Sequence, residues 1–181
     1  KLYPAAFREE PGGEVSRRAA PLYGMGDGHA RAHGPLRADV PVGDDAALLT
    51  TGGTRQVFTT DHLRSFWADP AVMARIATHH ALGDIWAMGA DPQAATLSII
   101  LPRLSEALAQ RTLTEILTAA QTILQDAGAE IVGGHSTLGD ELTIGLAVTG
   151  LCDRDPITLK GAEDGAALLL TKPIGTGVIM A

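Results

Sequence analysis

The chain has 181 residues, of which 45% are hydrophobic, and its formal net charge is −7. A chain of this size can bury one core of its own, and an acidic balance without a basic stripe argues against a nucleic-acid-binding surface. The single cysteine, Cys152, excludes an internal disulfide framework and favours a reducing compartment, for which we expect the cytoplasm. No apolar run is long enough to cross a bilayer, so we expect no membrane span.

Residues 1–41 are rich in glycine and proline, and we predict that they form an irregular amino-terminal arm. Within them, the run from Gly24 to Gly28 has the composition of a phosphate loop, but no strand precedes it and no helical pattern follows it. Lys1 is not an initiator methionine, and the chain stops at Ala181 just where a helix is predicted to begin. We therefore expect a piece of a longer protein.

Two strands are predicted next, at residues 46–50 and 55–60. The paired glycines Gly52-Gly53 between them supply the positive φ angles of a tight hairpin turn. The antiparallel pairing brings Asp45, at the start of the first strand, and Asp61, at the far end of the second, to one edge of the sheet.

Asp44 and Asp45 are adjacent acids that follow Gly43, and no Lys or Arg stands beside them. Like charges this close repel each other, so a basic side chain, a metal ion or backbone N–H groups must compensate them. Oxygen ligands alone suit Mg²⁺, which prefers a few carboxylates together with waters and a substrate phosphate. We therefore predict that Asp44 and Asp45 converge with Asp61 and Asp84 on a magnesium site.

A helix is predicted from Pro70 to about Met88, with Asp69 as its N-cap and Gly89 as its stop. Asp84 shares one face of this helix with apolar residues at i, i+3 and i+4 spacing. We expect that face to bring Asp84 to the other acids, Asp45 and Asp61.

Two histidines precede Asp84 on this helix. His80 lies one turn away and can touch Asp84, either as a surface pair or beside the acidic cluster. A zinc site made of His79, His80 and Asp84 is a further alternative. We favour magnesium, because tandem histidines point in different directions on a helix.

The remaining predicted elements are a strand at 93–101, a helix at 105–126, a short strand at 130–132, and strands at 142–150 and 166–171. A loop at 133–137 has N–H and hydroxyl groups that could donate to a phosphate, although its spacing alone favours an ordinary turn. The element order predicts an α+β fold, with a mostly antiparallel sheet and two helices on one face. The other face is apolar and uncovered, so we expect a second subunit to pack on it.

Several motifs in order resemble selenide, water dikinase, also called selenophosphate synthetase, within the superfamily of aminoimidazole ribonucleotide synthetase. They are Gly-Asp-Asp-Ala-Ala at 43–47, Thr-Thr-Asp at 59–61, Asp-Pro…Arg-Ile-Ala…Ala-Leu-Gly-Asp-Ile-Trp-Ala-Met-Gly-Ala-Asp-Pro at 69–92, Gly-Gly-His-Ser at 133–136, Gly-Leu-Ala-Val-Thr-Gly at 145–150 and Leu-Thr-Lys-Pro-Ile-Gly-Thr-Gly at 170–177. Each motif alone is weak, but the ordered set covers residues 42–181 nearly continuously.

The resemblance implies that residues 42–181 are the amino-terminal, ATP-binding domain of a two-domain enzyme, whose carboxy-terminal domain is absent from this chain. It implies a homodimer in which two sheets form a barrel, with ATP near the interface. The reaction of the family takes ATP, selenide and water to selenophosphate, AMP and phosphate.

The same resemblance implies roles for individual residues. Asp45 and Asp84 would be Mg²⁺ ligands. The nucleotide site would include Gly43, Asp44, Asp61 and Asp84, together with Gly134, His135 and Ser136 from the partner subunit. No residue is assigned a catalytic role.

One segment departs from the family pattern. The family has a reactive Cys or selenocysteine and a nearby Lys in a glycine-rich amino-terminal segment, whereas the counterpart here, Gly24 to Ala30, contains neither. Two alternatives to selenophosphate synthesis therefore stay open. They are a non-catalytic nucleotide-binding dimerisation module, and another ATP-dependent small-molecule kinase or synthetase that acts on a different phosphoryl acceptor.

Overall fold

A five-stranded sheet and two helices form the part of the chain that the computed structural model describes, which is residues 44–175 without the Thr51 side chain. The predicted arm, the glycine run at 24–28 and Gly43 lie outside the described residues, as do residues 176–181. The elements in chain order are β1 (Ala47–Thr51), β2 (Thr54–Arg64), α1 (Pro70–Ala87), β3 (Asp91–Pro102), α2 (Glu106–Asp126), β4 (Glu130–Gly139) and β5 (Thr143–Leu151).

The sheet has the strand order β1-β2-β5-β3-β4 and is mixed. Three of its pairings are antiparallel, whereas β3 and β4 run parallel. Parallel neighbours need a long crossover connection, and α2 provides it. The predicted α+β class with two helices is therefore confirmed, and the sheet contains one parallel pair that the sequence did not indicate.

The predicted hairpin is confirmed. Its turn glycines have positive φ angles, 58° at Gly52 and 85° at Gly53, and β1 pairs with β2 from Ala47–Phe58 to Thr51–Thr54. However, β2 continues beyond its predicted end, because its second edge pairs with β5 as far as residue 64. Asp61 therefore lies inside a strand, opposite Leu146, and not at the end of one.

Two predictions in the second half of the chain are wrong. The predicted loop at 133–137 lies inside β4, because each of these residues pairs with β3. The predicted strand at 166–171 is irregular, and Leu168 is 99% exposed. A strand is stable only when a neighbour takes up its backbone hydrogen bonds, and no strand of residues 44–175 pairs with this segment.

Both helices begin and end close to their predicted limits. The Asp69 side chain caps α1 by accepting hydrogen bonds from the N–H groups of Ala71 (2.8 Å) and Val72 (3.1 Å). Gly89, with a φ of 69°, follows its end. Ser105 precedes α2 as predicted, although its side chain makes no capping hydrogen bond.

The core lies between the helices and one face of the sheet. The helix α1 contacts β2, β3 and β5, α2 contacts β3 and β4, and the two helices pack together. Alternate residues of β3 are buried under them, namely Ala95, Leu97, Ile99 and Leu101, while Thr96 and Ser98 are exposed on the other face. Neither of the two helices in residues 44–175 could serve as a transmembrane span.

Gly150 provides a test of this packing, because a Cβ there would lie 2.5 Å from Ile85 Cγ2 and 3.1 Å from the Asp91 carbonyl oxygen. We expect Gly150→Ala to lower the free energy of unfolding by about 1–3 kcal/mol, since core overpacking forces neighbours to move. The measurement is chemical denaturation. Gly83→Ala is the control, because a Cβ added there would meet no atom within 4 Å outside its own stretch of helix. Alanine also stabilises a helix relative to glycine by up to ~1 kcal/mol. Equal stability of the two variants would contradict the packing described.

Candidate functional site

Three acids from separate segments lie close enough together for their charges to interact. Asp45 precedes β1, Asp61 lies in β2 and Asp84 lies near the end of α1. Burial raises the pKa of the Asp84 carboxyl, and the negative charges of Asp61 and Asp45 raise it further. These three residues, which we call the acidic cluster, therefore interact electrostatically.

Thr59 connects the members of the acidic cluster. It lies two residues before Asp61 on β2, so both side chains leave the strand on the same side. Its hydroxyl donates a hydrogen bond of 2.6 Å to Asp84 Oδ2 and lies 3.4 Å from the backbone carbonyl oxygen of Asp45. Thr59 is only 6% exposed. The sequence analysis did not single it out, although its alternation with Asp61 was a usable signal.

His80 contacts a different acid from the one expected. Its Nε2 lies 3.4 Å from Asp61 Oδ2, and its effect on Asp84 is to lower the pKa through charge rather than by a contact. One ring nitrogen of His79 lies 2.8 Å from the Arg75 carbonyl oxygen, so the tandem histidines diverge. Within residues 44–175, no group of three or more His, Cys, Asp or Glu side chains is arranged to hold a metal ion, which leaves the zinc alternative without support.

The acidic cluster nevertheless has the chemistry that Mg²⁺ requires. The ion uses one or two protein carboxylates and fills its remaining positions with waters and phosphate oxygens, so it needs no complete protein cage. In the described part of the chain, no Lys or Arg pairs with the cluster, because the arginine ion pairs are Arg55–Asp155, Arg64–Glu141 and Arg111–Glu115. Apart from His80, the negative charge is left for a ligand to compensate.

Asp44 faces away from this arrangement. Its Oδ1 accepts a hydrogen bond of 2.9 Å from the backbone N–H of Leu159, in the irregular segment that follows β5. The same segment is attached to the end of α1, because the N–H of Ile157 donates to the Met88 carbonyl oxygen at 2.9 Å. The two adjacent acids, Asp44 and Asp45, therefore have different neighbours.

A cavity of about 550 Å³ lies on the other face of the sheet, which the helices leave open. Of the predicted site residues, Gly134, His135 and Asp61 border it and Ser136 does not. Its further lining residues are Thr60, His62, Thr96, Leu97, Ser98, Ile100, Thr143, Gly145, Leu146 and Ala147. Within one chain, His135 and Asp84 therefore lie on opposite faces of the sheet.

The raised pKa of Asp84 predicts how stability depends on pH. The folded chain binds this proton more tightly than the unfolded chain, so the contribution of Asp84 to the free energy of unfolding decreases as pH rises from 3.8 to the raised value. At neutral pH we expect Asp84→Asn to be more stable than the unsubstituted chain, with the difference shrinking as pH falls from the raised pKa to 3.8. Denaturant titrations at several pH values measure this, with the exposed Asp126→Asn as control. A loss of stability in Asp84→Asn at every pH would contradict the prediction.

Comparison with known proteins identifies relatives of this domain. The family described as "AIR synthase related protein, N-terminal domain" matches residues 43–152. The selenide, water dikinase of Nitratidesulfovibrio vulgaris (strain DSM 19637 / Miyazaki F) is 42% identical over 139 residues, which are 75% of this chain and 39% of the relative. That of Geobacter sp. (strain M21) is 36% identical over 180 residues, 99% of this chain and 48% of the relative. The chain thus spans less than half the length of these relatives.

Solved structures agree on the fold. AaThiL complexed with AMPPCP and TMP is 22% identical, has a TM-score of 0.61 and matches 67% of this chain and 40% of its own. Thiamine monophosphate kinase from Aquifex aeolicus is 20% identical, with a TM-score of 0.53 over 64% of this chain and 39% of its own. The chain therefore belongs to the AIR synthase related proteins, as an N-terminal domain similar to those of selenide, water dikinases.

Proposed function

We propose that residues 42–181 are the Mg²⁺–ATP-binding domain of an enzyme like selenide, water dikinase, which converts ATP, selenide and water to selenophosphate, AMP and phosphate. The observation that carries the proposal is the acidic cluster, which has no Lys or Arg partner in residues 44–175. The names of the relatives at 36–42% identity support this reaction class. We also propose that the protein is located in the cytoplasm.

In this proposal Asp45 and Asp84 hold Mg²⁺, and Asp61 borders the nucleotide. The ion, when bound, neutralises triphosphate charge and orients the phosphates for attack. The chain's own contribution is to hold these carboxylates in place, since Thr59 fixes one oxygen of Asp84 and His80 lies against Asp61. Asp44 and Gly43 would border the nucleotide from the start of the domain.

We also propose a homodimer in which a second copy covers the open face of the sheet, so that two sheets form a barrel. The cavity on this face has hydroxyl and apolar lining, and Gly134 and His135 border it. Because the sheet separates these residues from Asp84 of their own chain, they and Ser136 would contact the nucleotide of the partner. A completed site therefore needs both subunits.

A second candidate rests on the sequence from Gly24 to Ala30, which has neither Cys nor Lys. A thiolate is the natural handler of selenide, and a lysine offsets phosphate charge. Without them, the domain would be a non-catalytic nucleotide-binding dimerisation module, or would serve another phosphoryl acceptor. Selenide-dependent release of AMP by the full-length protein supports the first proposal. Release of ADP with another acceptor supports a kinase. If the protein releases neither AMP nor ADP, the non-catalytic module is supported.

Calorimetry of ATP binding with and without Mg²⁺ tests the ligand roles. We expect Asp45→Asn to weaken Mg²⁺-dependent ATP binding by more than about tenfold, a change equivalent to ~1.4 kcal/mol, because it removes a ligating charge while keeping side-chain size. Asp126→Asn, at the exposed end of α2, is the matched control and should bind as the unsubstituted chain does. Undiminished binding by a folded Asp45→Asn would refute the role of Asp45, and unfolding of this variant would make that carboxylate structural.

Light scattering tests the dimer. Thr96 is exposed and borders the cavity on the open face, so we expect Thr96→Glu to convert a dimer to a monomer by burying an unpaired charge at the interface. Thr122→Glu adds the same charge to an exposed position of α2 and should leave the dimer intact. A monomeric unsubstituted protein would show that the open face is covered in some other way.

A further inference from the structure

Thr59 is a polar residue in a position that the pattern of its strand reserves for the core. Its neighbour on the same side of β2, Val57, is completely buried, and Thr59 itself is only 6% exposed. A buried hydroxyl is costly unless it makes a hydrogen bond. The bond that Thr59 makes crosses from the sheet to α1 and ends on Asp84 Oδ2, at 2.6 Å.

We propose that Thr59 is a positioning residue, which fixes the Asp84 carboxylate for binding of a divalent cation together with Asp45. The inference rests on the function proposed above, in which Asp84 is a cation ligand. It adds to that function the residue that aims the ligand, which neither the sequence motifs nor the relatives' names assign.

The geometry of the hydrogen bond supports this role. A threonine hydroxyl has one proton to donate, and the short contact directs it to Oδ2 of Asp84. Among residues 44–175, no other group donates a hydrogen bond to this carboxylate, so Oδ1 stays free for a ligand. Thr59 thus restricts the rotation of the carboxylate without filling both of its oxygens.

The strand that carries Thr59 is fixed on both sides. Thr59 lies opposite Val148 of β5, and the pairing of β2 with β1 begins one residue earlier, at Phe58. The same hydroxyl oxygen lies 3.4 Å from the carbonyl oxygen of Asp45. One buried side chain therefore contacts the Asp84 carboxylate and the backbone of Asp45, two residues that are about forty positions apart in sequence. Ligand groups that are oriented by buried partners lose affinity when those partners are removed, typically by 10- to 100-fold.

The test compares Thr59→Val and Thr59→Ser by calorimetry of ATP with and without Mg²⁺ on the full chain. We expect Thr59→Val, which has the same shape but no hydroxyl, to weaken Mg²⁺-dependent ATP affinity by about 10- to 100-fold. Thr59→Ser keeps the hydroxyl and should stay within about threefold of the unsubstituted protein, since it retains the donor. ATP affinity measured without Mg²⁺ should be the same in all three proteins.

Thr78→Val is the matched control for a purely structural effect. Thr78 is fully buried in α1, and its hydroxyl donates to the Ala74 carbonyl oxygen at 2.7 Å, away from the acidic cluster. The Thr78→Val variant should lose thermal stability, as Thr59→Val does, but keep its Mg²⁺-dependent affinity for ATP. Equal affinities in the two valine variants and the unsubstituted protein would overturn the positioning role while leaving the proposed function intact. Absence of Mg²⁺-dependent binding by the unsubstituted protein would instead overturn the proposed function, and this role with it.

Discussion

The repulsion among three neighbouring acids, of which Asp61 and Asp84 are partly buried, is the constraint on which the rest of the molecule depends. Asp84 sits where burial and the charges of Asp61 and Asp45 all oppose its ionisation. The fold supplies little to relieve this, since the neighbouring groups of the described chain are a neutral hydroxyl and one histidine. Such an arrangement is electrostatically unfavourable in the free protein, and a bound cation, as proposed above, would relieve it. The domain is therefore less stable than its core would allow, as expected where function requires a strained site.

The strand and helix layers hold these acids close to one another. Each acid comes from a different segment, so no local sequence could create the cluster; it needs β2 to lie beside α1. The contacts of α1 with β2 fix that relation. The open face of the sheet is a separate surface, bordered by Gly134 and His135, and a shared site between two subunits would join the two faces.

The sequence was informative wherever one local signal was decisive. Asp69-Pro70 and Gly89 delimited α1, and the paired glycines gave the first hairpin, because capping and positive φ are local requirements. The predictions failed where the structure depends on pairing between strands that are far apart in the sequence. The run at 133–137 resembles a loop but is a strand, because β3 lies beside it. Thr59 was missed for the same reason, since its partner on α1 is visible only in three dimensions.

The exposed run of leucines near the end of the described chain has a practical consequence. Leu168, Leu169 and Leu170 are 99%, 89% and 71% exposed, and no charge interrupts the segment from Ala166 to Thr171. Uncharged apolar runs of this length, when left without a partner strand, are templates for aggregation between molecules. Glu163-Asp164 before the run and Lys172-Pro173 after it are gatekeepers that oppose this association. Replacing the three leucines by polar residues should consequently lower any tendency of this chain to precipitate at high concentration.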